Sequence, residues 1–173
     1  EQNDLLGAYD FLVEQGVSSD SIGVIGFSMG AATSVLGASQ EPGIRALVVD
    51  SPFAKASDLI TQEVARRTPA PEWLVPLFGP GTKMAADILH DIKLGDIDPE
   101  SAVAGIGYPI LLIHGMKDER IPVEQGIRVH DAAHESSIIW LVPDSDHVDA
   151  FLNFSYEYTE RVVTYFRGRL GVK

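Results

Sequence analysis

A serine flanked by glycines, a scatter of carboxylates and five histidines supply the reactive groups of this 173-residue chain. Ser28 stands in Gly23-Val24-Ile25-Gly26-Phe27-Ser28-Met29-Gly30, between an apolar run and a run of small, helix-forming residues. Asp50 closes a second apolar run. His114 closes a third, which continues into Gly115-Met116-Lys117-Asp118-Glu119, and a fourth leads to Pro143-Asp144-Ser145-Asp146-His147. Serine, acid and histidine in that chain order could do nucleophilic chemistry. A hydroxyl is a poor nucleophile until a base takes its proton. A neutral imidazole can take it at neutral pH, and a carboxylate fixes the tautomer of that imidazole and stabilises the imidazolium. Gly26-Phe27-Ser28-Met29-Gly30 is also a G-x-S-x-G pentapeptide, of which a chain with 16 glycines yields about 0.1 by chance.

Such groups act only if folded elements bring them together. Leu5, Leu6, Tyr9, Leu12 and Val13 recur at helical spacing, with Gly16 as a stop. Apolar runs over 22–27, 44–50, 109–114 and 137–142 read as strands. A small-residue helix follows Ser28 to about residue 40, Pro122 opens another to about residue 134, and a last one covers 156–169 with Val162, Val163, Phe166 and Leu170 on one face. Strands this apolar are buried on both faces, and helices lie between them. The fold class is therefore α/β, a mostly parallel sheet with helices on both sides. In such sheets reactive groups gather beyond the carboxyl ends of the strands, and the spacing predicts that the strands leading to the serine, the acid and the histidine lie side by side. At the G-x-S-x-G junction the turn forces the serine backbone into a strained region, and bulky residues in place of the glycines would collide. The following helix start directs positive potential, and the Met29 N–H, toward a developing oxyanion.

Simpler roles exist for each residue. Ser28 could cap the helix. Asp118 could be a turn aspartate, with Glu119 or Asp50 as the acid instead. His90, His130 and His134 fall in helical sequence, and His114 reads as a strand-end histidine packed under the rim. No metal site emerges: His130 and His134 are four apart, but Asp131-Ala132-Ala133 between them lacks the Glu-x-x pattern of a zinc peptidase. Gly79-Pro80-Gly81 reads as a turn rather than a phosphate loop, and no cofactor is implied.

Charge and composition narrow the partners. With 25 acidic and 13 basic residues the net charge is −12, which disfavours nucleic acid and anionic membrane, both of which demand a cationic face. The chain has no cysteine, so neither a disulfide framework nor a thiolate nucleophile is available. No run approaches the roughly 18 apolar residues of a membrane span. A cytoplasmic location is the expectation.

The motifs GFSMG, VVDSPF, PILLIHGMKDERIP and DHVDAF, in the order serine, aspartate, histidine, resemble the α/β-hydrolase superfamily from residue 1 to the last helix. The likeness is greatest to bacterial serine hydrolases near the prolyl-oligopeptidase and serine-aminopeptidase families, often called esterase-like. It implies Ser28 as nucleophile, Asp118 as acid, His147 as general base and the Met29 N–H as one oxyanion donor. It also implies that residues 53–107 form a cap-like insertion within one hydrolase domain spanning 1–173, with Trp73, Leu74, Leu77 and Phe78 lining an apolar site or forming the cap's own core. In the family further strands precede this point, and a loop after one of them gives a second oxyanion N–H. The expectation is a chain matching the C-terminal half to two-thirds of such a hydrolase: weakly active alone, with strand 22–27 open on one edge and drawn into a homodimer or larger assembly.

Overall fold

The computed structural model describes residues 1–59 and 97–170. Among them are strands β1 (Gly23–Phe27), β2 (Ala46–Asp50), β3 (Leu111–Gly115) and β4 (Ile138–Val142). The helices are α1 (Gln2–Glu14), α2 (Met29–Gln40), α3 (Pro99–Val103), α4 (Val123–Ala132), α5 (Ala150–Asn153) and α6 (Ser155–Leu170). The strands form one sheet in the order β1-β2-β3-β4, all parallel. This is the parallel α/β architecture that the apolar runs imply, with strand limits within two residues of those expected.

Alternation along β2 and β3 sorts side chains to two layers. Leu47, Val49 and Leu112 face Val35 of α2, Val103 of α3 and Val129 of α4, in one fully buried cluster. Ala46, Val48, Leu111 and Ile113 face the other way, toward Trp140 and toward Tyr158 and Tyr165 of α6. Each such Val, Leu or Ile contributes roughly 1.5–3 kcal/mol on burial, so β2 and β3 are the rigid centre on which the rim is built. The Tyr165 hydroxyl fastens their lower ends, accepting from Leu47 N–H (3.0 Å) and donating to the Pro109 carbonyl (2.8 Å).

Two expectations need correction, while a third is met at β1: open on one edge as expected for strand 22–27, it leaves Ile25 and Phe27 38% and 42% exposed. It is an edge of the sheet, and α6 reaches only as far as Gly23, where an added Cβ would meet the Phe166 ring at 2.6 Å. The strand leading to Ser28 does not adjoin the strand leading to Asp118, because β2 pairs with both and stands between them. α4 stops at Ala132, since Ala133 turns extended at ψ 175° and the chain tightens into the turn closed by Ser137 N–H on the His134 carbonyl (2.8 Å). His130 and His134 therefore share no helix face.

Helix α1 packs on α2 through Leu5, which lies against Gly37, while Leu12 and Val13 stay exposed. Gly16 follows α1 with a positive φ of 86°, the left-handed stop its position implies. Within the stretch 53–107, α3 starts on an Asp98 cap that accepts from Ser101 N–H (2.9 Å) with Pro99 at its first turn, and its Val103, like Ile106 beyond it, lies in the main core. The apolar segment with Trp73, Leu74, Leu77 and Phe78, the turn at Gly79-Pro80-Gly81, and His90 lie outside the described residues. Among the described residues no helix is long and apolar enough to cross a membrane.

Candidate active site

β1 passes into α2 through Ser28, whose φ of 52° and ψ of −119° lie in a region that L-residues seldom occupy. The strain is held from both sides. Ser28 N–H donates to the Asp50 carbonyl (2.8 Å), and the Ser28 carbonyl accepts from Ala31 and Ala32 N–H (3.0 and 3.2 Å). The hydroxyl does not cap α2; it lies 2.8 Å from Nε2 of His147. The glycine requirement expected on both flanks holds on one. A Cβ at Gly26 would collide with the Gly30 carbonyl and come within 2.5 Å of Ser34 Oγ, whereas one at Gly30 would meet nothing within 4 Å. Met29 is the first residue of α2, so its N–H is among the helix-start amides that have no intrahelical acceptor, at the positive end of the helix dipole.

The turn after β3 presents Asp118, a buried carboxylate. Its Oδ1 accepts from Arg120 and Ile121 N–H (2.9 and 2.8 Å). Its Oδ2 lies 2.7 Å from Nδ1 of His147 and 3.4 Å from Nε2 of His114. Burial pushes this carboxyl up, but the bonds from His114, His147 and the Ile121 amide outweigh it and hold the group well below the usual carboxylate range. His114 is wholly buried behind it, donating Nε2–H to the Ile121 carbonyl (2.9 Å). Of the other candidate acids, Asp50 is fully buried and accepts from Tyr158 Oη–H (3.0 Å) and Ser51 Oγ–H (3.1 Å). Burial raises its carboxyl despite those bonds. Glu119 lies on the surface of the same turn as Asp118.

His147 sits on a tightly bent segment after β4, with Asp144 at φ 58° and Val148 at φ 61°. Positive φ at a β-branched residue is a genuine outlier, and Val148 is held in it by an N–H bond to Ser51 Oγ (3.3 Å). Ser51 itself has φ 52° and is fully buried. Of the two carboxylates preceding the histidine, Asp144 pairs with Lys117 Nζ (2.5 Å), and Asp146 takes backbone amides, that of His147 among them (2.7 Å). The structure thus brings Ser28, His147 and Asp118 into one hydrogen-bonded line, with Met29 beside the first. Sequence reasoning passed over Ser51 and Asp146 as functional supports. The available signal was their position, one directly after a strand-end aspartate and one directly before the histidine.

Chemically, the line works in one direction. With Nδ1–H donated to Asp118, Nε2 keeps its lone pair and accepts from the Ser28 hydroxyl. Such an imidazole can draw off the hydroxyl proton and hold the resulting positive charge beside a carboxylate.

The prolyl oligopeptidase family matches the chain over residues 1–173. The uncharacterized protein YfhR of Escherichia coli (strain K12) is 27% identical over 158 residues, covering 90% of this chain and 48% of that protein. The chain spans about half the length of the curated relatives it matches. Among solved structures, the esterase domain of a Rhodothermus marinus protein superposes with a TM-score of 0.71 at 18% identity, over 98% of this chain and 69% of that one. The α/β hydrolase GrgF of Penicillium sp. sh18 gives a TM-score of 0.74 at 12% identity, over 99% and 72%. At these identities the structural likeness concerns the fold.

Proposed function

Since the chain belongs to the prolyl oligopeptidase family and has the α/β-hydrolase fold, we propose that it is a serine hydrolase cleaving carboxylic esters through Ser28, His147 and Asp118. The observation that carries the reading is the line Ser28 Oγ–His147 Nε2 (2.8 Å) and His147 Nδ1–Asp118 Oδ2 (2.7 Å), distances already within reach for proton transfer. Ser28 Oγ attacks the acyl carbon as His147 takes its proton. Asp118 stabilises the imidazolium, and the Met29 N–H at the start of α2 faces the oxyanion. His147 then protonates the leaving alcohol, and water releases the acyl group from Ser28 by the same steps. Within this single domain the cap-like insertion proposed for 53–107 excludes its core-packed ends, Ala54 at one and Val103 and Ile106 at the other.

The ester reading is supported by the Pyrococcus furiosus esterase Pf2001, 26% identical with a TM-score of 0.60 over 86% of this chain and 54% of that one; the family's own description favours a peptidase as the second reading. The two separate on a matched pair of substrates, an ester and an amide of the same acyl group. Because an ester is the easier acyl donor for either kind of enzyme, the amide decides: turnover of the ester with no cleavage of the amide is expected, and turnover of the amide would transfer the assignment to peptidase. A folded domain that acts only by binding or assembly would turn over neither.

Assembly is proposed through β1. Its outer edge has no partner strand among the described residues, Ile25 and Phe27 are exposed beside it, and neither charge nor proline blunts Gly23–Phe27. Two copies burying this edge about a two-fold axis form the simplest closed assembly. Light scattering after size exclusion at micromolar concentration should give a dimer or larger species. A stable monomer would overturn the proposal.

A further inference from the structure

One oxygen atom touches both of the turns that carry the acid and the base. Asp146 Oδ1 accepts from Glu119 N–H (3.1 Å), on the residue after Asp118, and from His147 N–H (2.7 Å). Together with the 2.7 Å bond between the His147 ring and Asp118, these contacts close a small ring through both turns. The turns already approach as closely as backbone allows. A Cβ at Gly115 would collide with the Ser145 carbonyl and lie 2.6 Å from the Asp146 carbonyl, and Lys117 N–H donates to that Ser145 carbonyl (2.9 Å). The histidine segment is strained at both ends, Asp144 at φ 58° and Val148 at φ 61°. Strain of about 1–3 kcal/mol per residue persists only where surrounding bonds over-determine the backbone. Relaxation of this segment would move the imidazole away from both of its partners.

We infer that Asp146 is a positioning residue: its Oδ1 holds the acid-bearing and base-bearing turns in register, so that the His147 ring reaches Asp118 and Ser28 together. The role belongs to the acceptor oxygen and not to the negative charge, because both contacts are backbone amides. The inference rests on the proposed hydrolase reading for its effect on rate, and on geometry alone for its effect on the Asp118–His147 bond.

Asp146 is exposed, so both Asp146→Asn and Asp146→Ala are compatible with folding. Asparagine keeps an acceptor oxygen at the same place and loses the charge; alanine loses both. On an activated ester, Asp146→Ala should lower kcat by roughly 10- to 100-fold with KM changed by less than about twofold, as for a reacting group displaced by an ångström or less. Asp146→Asn should restore kcat to within about threefold of the parent chain, the ordinary scatter of a surface substitution. An alanine variant as fast as the parent, or an asparagine variant as slow as the alanine one, would overturn the inference. A second readout needs no turnover. The far-downfield proton NMR signal of His147 Nδ1–H on Asp118 should persist in Asp146→Asn and broaden or vanish in Asp146→Ala. If the parent cleaved no substrate, the hydrolase reading would fail, yet a downfield signal unchanged in Asp146→Ala would still overturn the role given to Asp146.

Discussion

Ser28→Ala should abolish ester turnover, lowering kcat by roughly 10⁶-fold, the scale seen when the nucleophile of a Ser–His–Asp constellation is removed. The loss is expected to be chemical and not structural. The Ser28 hydroxyl makes no cap bond to α2 and is bonded to His147, so its removal leaves the core of β2, β3, α2 and α4 untouched. Ser28→Gly sharpens the contrast. At φ 52° the backbone carries strain that glycine does not, and glycine there should raise folding stability by about 1 kcal/mol while activity is lost to the same degree. Denaturant unfolding of parent, alanine and glycine chains alongside kcat measures both quantities. A glycine variant less stable than the parent would show that the junction is not strained, and an alanine variant retaining more than about a hundredth of parent kcat would remove Ser28 from the chemistry.

Asp118→Asn should lower kcat by roughly 10⁴-fold at neutral pH, because an amide in that place favours the wrong imidazole tautomer and stabilises no imidazolium. The same substitution has a consequence for acid stability whose sign follows from the depressed carboxyl of Asp118. Its folded-state value lies below that of the unfolded chain, about 3.9 for an aspartate. As pH falls through and below that value, the unfolded state binds the proton first, so the stability contributed by Asp118 is present above about pH 4–5 and is lost on acidification. Asp50 works in the opposite sense, since burial raises its carboxyl and protonation favours the folded state. Unfolding free energies from pH 7 down to pH 3 should therefore fall less steeply in Asp118→Asn than in the parent. A parallel fall in the two proteins would mean that Asp118 is not held as an anion by His147, His114 and the Ile121 amide.

Much of this arrangement is legible in the order of residues. The four strands announce themselves as apolar runs because both faces of β2 and β3 are covered, leaving no polar alternation to blur them. GFSMG marks the strand-to-helix junction because collision at Gly26 leaves little other choice of residue. Less legible is anything decided across the sheet. Nothing local reveals that β2 separates the strands of Ser28 and Asp118, since the order comes from pairing and not from sequence distance. The exposure of Ile25 and Phe27 depends on what covers β1, and their own side chains are those of a core strand. The end of α4 at Ala132 has no glycine or proline to signal it; it follows from the turn into β4. Asp146 lies 27 residues from the amide of Glu119 that it accepts, and Ser51 lies 97 from the amide of Val148. As bare sequence, the first looks like a surface charge and the second like an ordinary small residue after a strand.

A fluorophosphonate probe followed by peptide mass spectrometry decides whether Ser28 is a nucleophile activated by His147 and Asp118. One covalent adduct on Ser28 is expected, formed by the parent chain, absent from Ser28→Ala and greatly slowed in Asp118→Asn. An adduct on another serine, or none on a folded parent chain, would contradict it.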